Sequence, residues 1–170
     1  MINSDEEFSI VVDKNDRILR YTKRGDLLPT DRIRVTTVWI EDKTGRILIA
    51  QRSPSKRLHP GLWGPAAAGG VAKGETYEQN AYKELEEEIG VTNVKLRLHD
   101  KTPVDYFDGT RRFAYSFIGI LDEVPEQFTL EDAVEQVKWV DKGWLKNDLR
   151  LHPEQYVPSA VQHWHDLFLR

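Results

Sequence analysis

Hydrophobic and polar positions alternate in short runs over most of the chain, and the longer helical period appears at two places. Phe8 to Val12 and Ile18 to Tyr21 are β-prone runs separated by Asp13-Lys14-Asn15-Asp16, a turn composition, and predict a hairpin. A second hairpin is predicted from Val35 to Ile40 and Ile47 to Ala50, flanking Asp42-Lys43-Thr44-Gly45. The stretch from Gln51 to Gly61 is rich in Arg, Lys, Ser and Pro and reads as a basic loop. From Thr76 the period changes. Tyr77, Ala81, Leu85 and Ile89 recur every four residues, Thr76 can cap the helix, and Gly90 stops it. Val94 to Leu98, Val104 to Phe107, Phe113 to Leu121 and Val137 to Val140 predict further strands, with Asp108-Gly109 as a turn. Pro158 suits the first position of a last helix whose apolar face would be Ala160, Val161, Trp164, Leu167 and Phe168. Strands interleaved with two helices predict an α/β or α+β fold, a mixed sheet packed between helices. No repeat, low-complexity tract or Gly/Ser/Pro linker divides the chain, so residues 1–170 are expected to form one domain, with 1–32 as an N-terminal hairpin appendage.

Composition narrows the chemistry. With 39% hydrophobic residues in 170, the chain can bury a core without covalent staples. It contains no Cys, which excludes a disulfide framework, a thiolate zinc site and a cysteine nucleophile. Its charges, 24 basic against 28 acidic, sum to −4 and argue against a general nucleic-acid binder. No run approaches a membrane span, and the first residues lack a basic region followed by an apolar core, so a cytoplasmic location is expected.

The candidate chemistry lies in residues 69–91. On a helix, Glu84, Glu87 and Glu88 fall on one face beside the Ala81/Leu85/Ile89 stripe, while Glu86 points elsewhere. Like charges at these spacings repel, and partial burial raises the cost. A divalent cation reverses the sign, and Mg²⁺ or Mn²⁺ shared between carboxylates and substrate phosphates is the natural occupant. The plain alternative for Glu86-Glu87-Glu88 is a solvated helix face.

The wider spacing of Gly69, Glu75, Lys83, Glu84, Leu85, Glu87, Glu88, Gly90 and Val91 resembles the signature of the Nudix hydrolases. Weaker likeness extends over about residues 33 to 169. The family places Arg where this chain has Lys83, which keeps the charge and loses the planar fork. The resemblance implies an α/β/α sandwich and Mg²⁺- or Mn²⁺-dependent attack of water on a diphosphate, usually in a nucleoside diphosphate derivative. By the same resemblance Glu84, Glu87 and Glu88 would hold metal, Glu84 would also serve as base, Glu75 and Lys83 would form a supporting ion pair, and Gly69 and Gly70 would permit a tight loop against helix and phosphate.

Within the family, the N-terminal hairpin and the Pro60-Gly61-Leu62-Trp63 segment look most like the branch related to isopentenyl-diphosphate isomerase. That isomerase needs a Cys and a nearby His after the Trp, where this chain has Ala66-Ala67-Ala68-Gly69-Gly70, so hydrolysis is the expected reaction. Relatives also carry an acid in the loop before the final strand, and Glu131 is the candidate here. A Nudix-fold binding module without turnover is the non-enzymatic alternative.

Arg52, Lys56 and Arg57 are candidates for phosphate contacts, with a solvated loop as their commoner role, and Tyr106 is a candidate substrate contact whose bland reading is strand-end packing. Trp39, Trp63, Trp139 and Trp144 are candidates for base stacking, with core packing as the commoner role of aromatics beside strands. His163 and His165 are two apart on the expected last helix and form a poor metal pair. The partner expected is a small-molecule diphosphate, with no nucleic acid and no membrane; assembly as a homodimer is left open.

Overall fold

A computed structural model describes residues 7–162. The elements are β1 (Phe8–Val12), β2 (Ile18–Lys23), β3 (Arg32–Asp42), β4 (Ile47–Arg52), β5 (Trp63–Gly64), β6 (Ala67–Gly70), α1 (Tyr77–Ile89), β7 (Leu96–Asp105), β8 (Arg111–Leu121), β9 (Val134–Val140) and α2 (Lys142–Leu151). Residues 158–162 are helical, as Pro158 predicts. Trp164, Leu167, Phe168, His163 and His165 lie outside the described residues.

The expected mixed sheet is organised around β3. It pairs in parallel with β8 along its whole length, from Arg32↔Arg111 to Asp42↔Leu121. Its other edge pairs antiparallel with β6 from Val35↔Gly70 to Val38↔Ala67, and then with β4 at Ile40↔Leu48. Strand β9 continues the sheet beyond β4, and β7 beyond β8, both antiparallel. The β1–β2 hairpin joins at Val11↔Ile33.

Successive side chains on a strand point to opposite faces, and that alternation divides the core in two. Val38, Ile40, Leu48, Ala50 and Phe117 pack with Ala81, Leu85 and Ile89 of α1. Trp39, Ile47, Ile49 and Ile118, their immediate neighbours, pack on the other face with Leu145 and Leu149 of α2 and with Tyr156 and Val157. The Ala81/Leu85/Ile89 stripe is wholly buried, so truncation of Leu85 to Ala would cost about 2–5 kcal/mol.

α1 begins and ends where its sequence signals it. The Thr76 side chain accepts the Gln79 N–H at 3.1 Å while Gln79 Oε1 accepts the Thr76 N–H at 2.9 Å, a reciprocal capping box. Gly90, at φ 71°, closes the C-terminus in the left-handed region. The N-terminal hairpin is tied to this helix through Asp16, whose Oδ1 accepts from Tyr77 Oη at 2.9 Å and from Arg34 Nε at 2.7 Å.

Three differences from the sequence expectations matter. Parts of the runs Val94–Leu98 and Val104–Phe107 are joined in one strand, β7 (Leu96–Asp105), whose register shifts between Leu98 and Asp100. β6 is a strand although Ala67-Ala68-Gly69-Gly70 has no β propensity; pairing with β3 imposes it. Helix α2 was not expected. Asp141 caps it by accepting the Gly143 and Trp144 N–H groups, and Leu145 and Leu149 are its buried anchors.

Candidate active site

Strand β6 and helix α1 face each other across the candidate site, and small residues on the strand decide what fits there. The Glu84 carboxyl occupies the space that a side chain on Gly69 would fill. One turn on, Glu88 Oε2 accepts the Ala68 N–H at 3.1 Å. Both carboxyl groups are pushed up. Burial is the main cause for Glu84, followed by the charge of Glu88, and Lys83 offsets them only in part, leaving its pKa at about 7. Burial likewise raises Glu88, against the pull of the Ala68 N–H, Arg52 and Lys56. Glu87 stands exposed at the rim, near enough for its charge to act on both.

Glu75 and Lys83 are joined as expected. Lys83 Nζ donates to Glu75 Oε1 at 2.9 Å, and Glu75 Oε2 accepts the Ala72 N–H at 3.0 Å. Burial opposes the Glu75 charge, but these donors hold its carboxyl below the usual range. Burial also opposes the Lys83 ammonium, and Glu75 overcomes it and keeps that pKa raised. Glu7 Oε1 lies 3.7 Å from Lys83 Nζ as a second acid.

Asn80 completes the frame, and sequence reasoning missed it. It is fully buried, and its Oδ1 accepts the Thr36 hydroxyl at 2.5 Å. Its Nδ2 faces three acceptors: Gly70 O at 3.1 Å, Glu75 Oε2 at 3.1 Å and Glu84 Oε1 at 3.2 Å. One amide therefore links strand, lead-in loop and helix. The available signal was a poor helix former beside the apolar stripe, one turn before Glu84.

These groups open onto a cleft of about 1580 Å³. Glu84, Glu87, Glu88, Lys83, Gly69 and Gly70 line it, together with Arg52, Lys56 and Arg57 from the basic loop and Glu131 from the loop before β9. Glu75 supports Lys83 from behind this lining. Glu131 is exposed, and its backbone N–H reaches Glu88 O at 3.4 Å, so the acid sits beside the end of α1. Tyr106 also borders the cleft, yet it is buried with Val104 and Ala114 and its hydroxyl pKa is pushed up to about 12, mainly by burial.

Trp39, Trp63, Trp139 and Trp144 are not in this lining. Trp39 is core, Trp139 packs against the α1 side of the core, and Trp63 and Trp144 flank the Lys138 ammonium at 4.4 and 4.8 Å. Core packing, the commoner role of aromatics beside strands, describes Trp39 and Trp139.

The donor set suits a hard divalent cation, because two half-buried carboxyls and a third at the rim offer only oxygen atoms and repel one another without an ion. Among the described residues no three His, Asp or Glu side chains converge as a ready-made cage. Mg²⁺ needs none, since it takes one or two carboxylates and completes its shell with waters and phosphates.

Comparison with known proteins agrees with this architecture. The NUDIX domain family model matches residues 31–160. An uncharacterized Nudix hydrolase of Pseudomonas aeruginosa is 31% identical over 94% of this chain and 92% of its own length. An isopentenyl-diphosphate Delta-isomerase of Haloarcula marismortui is 28% identical over 95% of this chain and 88% of its own. In fold, a Deinococcus radiodurans crystal structure superposes with a TM-score of 0.77 at 21% identity, covering 95% of this chain and 99% of that one. The family match, lying over the sheet and helix that build the cleft, places the chain in the Nudix family.

Proposed function

We propose that this protein is a Mg²⁺- or Mn²⁺-dependent hydrolase that cleaves a diphosphate linkage, in a nucleoside diphosphate derivative or similar compound, by attack of water at phosphorus. The observation that carries the reading is the pair of half-buried carboxyls, Glu84 and Glu88, set against the glycine strand and opening onto a cleft whose other wall is cationic. Glu84, Glu87 and Glu88 would hold the ion. When bound, it neutralises phosphate oxygens and acidifies water.

The chain's own groups supply the rest. Asn80 Nδ2 holds the Glu84 carboxylate, and Glu75 and Lys83 brace that amide and the loop around it. Arg52, Lys56 and Arg57 bind the phosphates, without an ion-paired acid among the described residues. Water forms the new P–O bond, the bridging P–O bond breaks, and a carboxylate takes the water's proton. Glu84, beside the ion, is one candidate base, and Glu131 at the mouth is the second. Isomerase chemistry is disfavoured because the chain has no Cys.

The test is incubation with Mg²⁺ and a panel of nucleoside diphosphate derivatives, coenzyme A and prenyl diphosphates, with analysis of the phosphate products. Hydrolysis of at least one compound is expected. No turnover on any would favour a non-catalytic binding module.

A further inference from the structure

Two arginines adjoin the far end of the cleft, and only one of them has a structural task. Arg32 is buried and fully engaged: its Nη1 donates to Val104 O at 3.0 Å and Arg112 O at 2.9 Å, and its Nη2 to Asp105 Oδ1 at 2.6 Å. Arg112 is half-buried and lines the cleft, and among the described residues its guanidinium makes one hydrogen bond, from Nη1 to Arg111 O at 2.8 Å. Its guanidinium has no ion-paired carboxylate among the described residues. Asp108, whose charge acts on Arg112, is shared with His59 Nε2 at 2.8 Å and Thr110 Oγ1 at 2.7 Å, and Asp105 is taken by Arg32. A largely desolvated cation whose neighbouring acid Asp108 is shared with other donors is costly, and that cost falls when an anion arrives.

Its placement fits substrate recognition. Arg112 is the cross-strand partner of Ile33, and Ile33 and Val35 contribute an apolar floor to the same cleft. The His59–Asp108 contact pins the end of the basic loop to the β7–β8 turn, so Arg112 and the Arg52/Lys56/Arg57 group face one cavity from separate walls. The site thus has two cationic poles with an apolar floor near the second.

We propose that Arg112 recognises a second anionic group on the substrate, a phosphate or a carboxylate, remote from the scissile diphosphate. This rests on the diphosphatase reading above and narrows its substrate class to diphosphates that carry a further anion on the attached moiety.

Matched pairs test it. Coenzyme A and dephospho-coenzyme A differ by one phosphate, and UDP-glucuronate and UDP-glucose by one carboxylate. The anion-bearing member of at least one pair should be preferred about 10- to 100-fold, the size of a charge-assisted hydrogen bond, through KM rather than kcat. Arg112→Gln should bring that ratio close to one, and Arg112→Lys should restore part of it. The absence of preference in both pairs, or an equal loss for both members in Arg112→Gln, overturns the proposal. Calorimetric binding of adenosine 3′,5′-bisphosphate against AMP separates the two readings. If nothing is hydrolysed but the bisphosphate binds more tightly in an Arg112-dependent way, the diphosphatase reading fails and the anion site stands. Equal binding overturns the site.

Discussion

A Cβ added to Gly69 would lie 2.0 Å from Cδ of Glu84, closer than any two such atoms can approach. The glycine is therefore demanded by a side chain across the gap. Gly69→Ala should expel the Glu84 carboxyl and cost at least 10²-fold in kcat, with an overpacking penalty of about 1–3 kcal/mol in thermal unfolding. At Gly70 the nearest atom to a new Cβ is Arg24 Nη2 at 3.2 Å, the far end of a flexible side chain, so Gly70→Ala should be mild. Equal effects at the two positions would contradict this account.

Stability without a divalent cation should depend on pH through Glu84. Its pKa in the folded chain is about 7, against an ordinary value of 4.5. A raised carboxyl pKa favours the folded state at low pH, and that contribution is lost as pH rises from 4.5 through 7. Melting in EDTA should show this loss, Glu84→Gln should flatten it, and Mg²⁺ should oppose it above pH 7. A slope unchanged in Glu84→Gln would place the burial cost elsewhere.

Lys83 needs only its charge and reach to hold Glu75 at 2.9 Å. Lys83→Arg should be neutral or beneficial, because a guanidinium can engage Glu75 and Glu7 together. Lys83→Met should lower kcat with little change in KM, since it loosens a support and removes no substrate contact of its own. A large loss in Lys83→Arg would assign this lysine a different role.

Glu87→Gln and Glu88→Gln should abolish most activity while leaving the fold intact, Glu87 because it is exposed and Glu88 because an amide relieves its buried charge. Thermal shift is the check. Wild type should be stabilised by Mg²⁺ with a diphosphate ligand, and neither variant should be stabilised equally.

Glu131→Gln should lower kcat by roughly 10²- to 10⁴-fold if this acid is the base, with metal affinity unchanged. Near-normal kcat, with Glu84→Gln dead, would leave Glu84 as the base.

What was legible in the chain was whatever had local cause. α1 announced itself through Thr76, the four-residue stripe and Gly90, and the carboxylate set through helical spacing. β6 was invisible because Ala67 to Gly70 becomes a strand only through its pairing with β3. α2 was hidden because Gly143, Asn147 and Asp148 dilute its helical pattern and only Leu145 and Leu149 anchor it. Asn80 and Arg112 escaped for a related reason: an Asn within a helix and an Arg on a strand are ordinary until the partners they gain, or lack, are known.

Asn80 also sets how easily Glu84 can be released. Its amide has two hydrogens for three acceptors, so one acceptor is always in surplus. If Glu84 turns toward a ligand, the amide keeps full occupancy with Gly70 and Glu75. The carboxylate is held by a grip that loses nothing on opening, which lets a rigid frame carry one movable part.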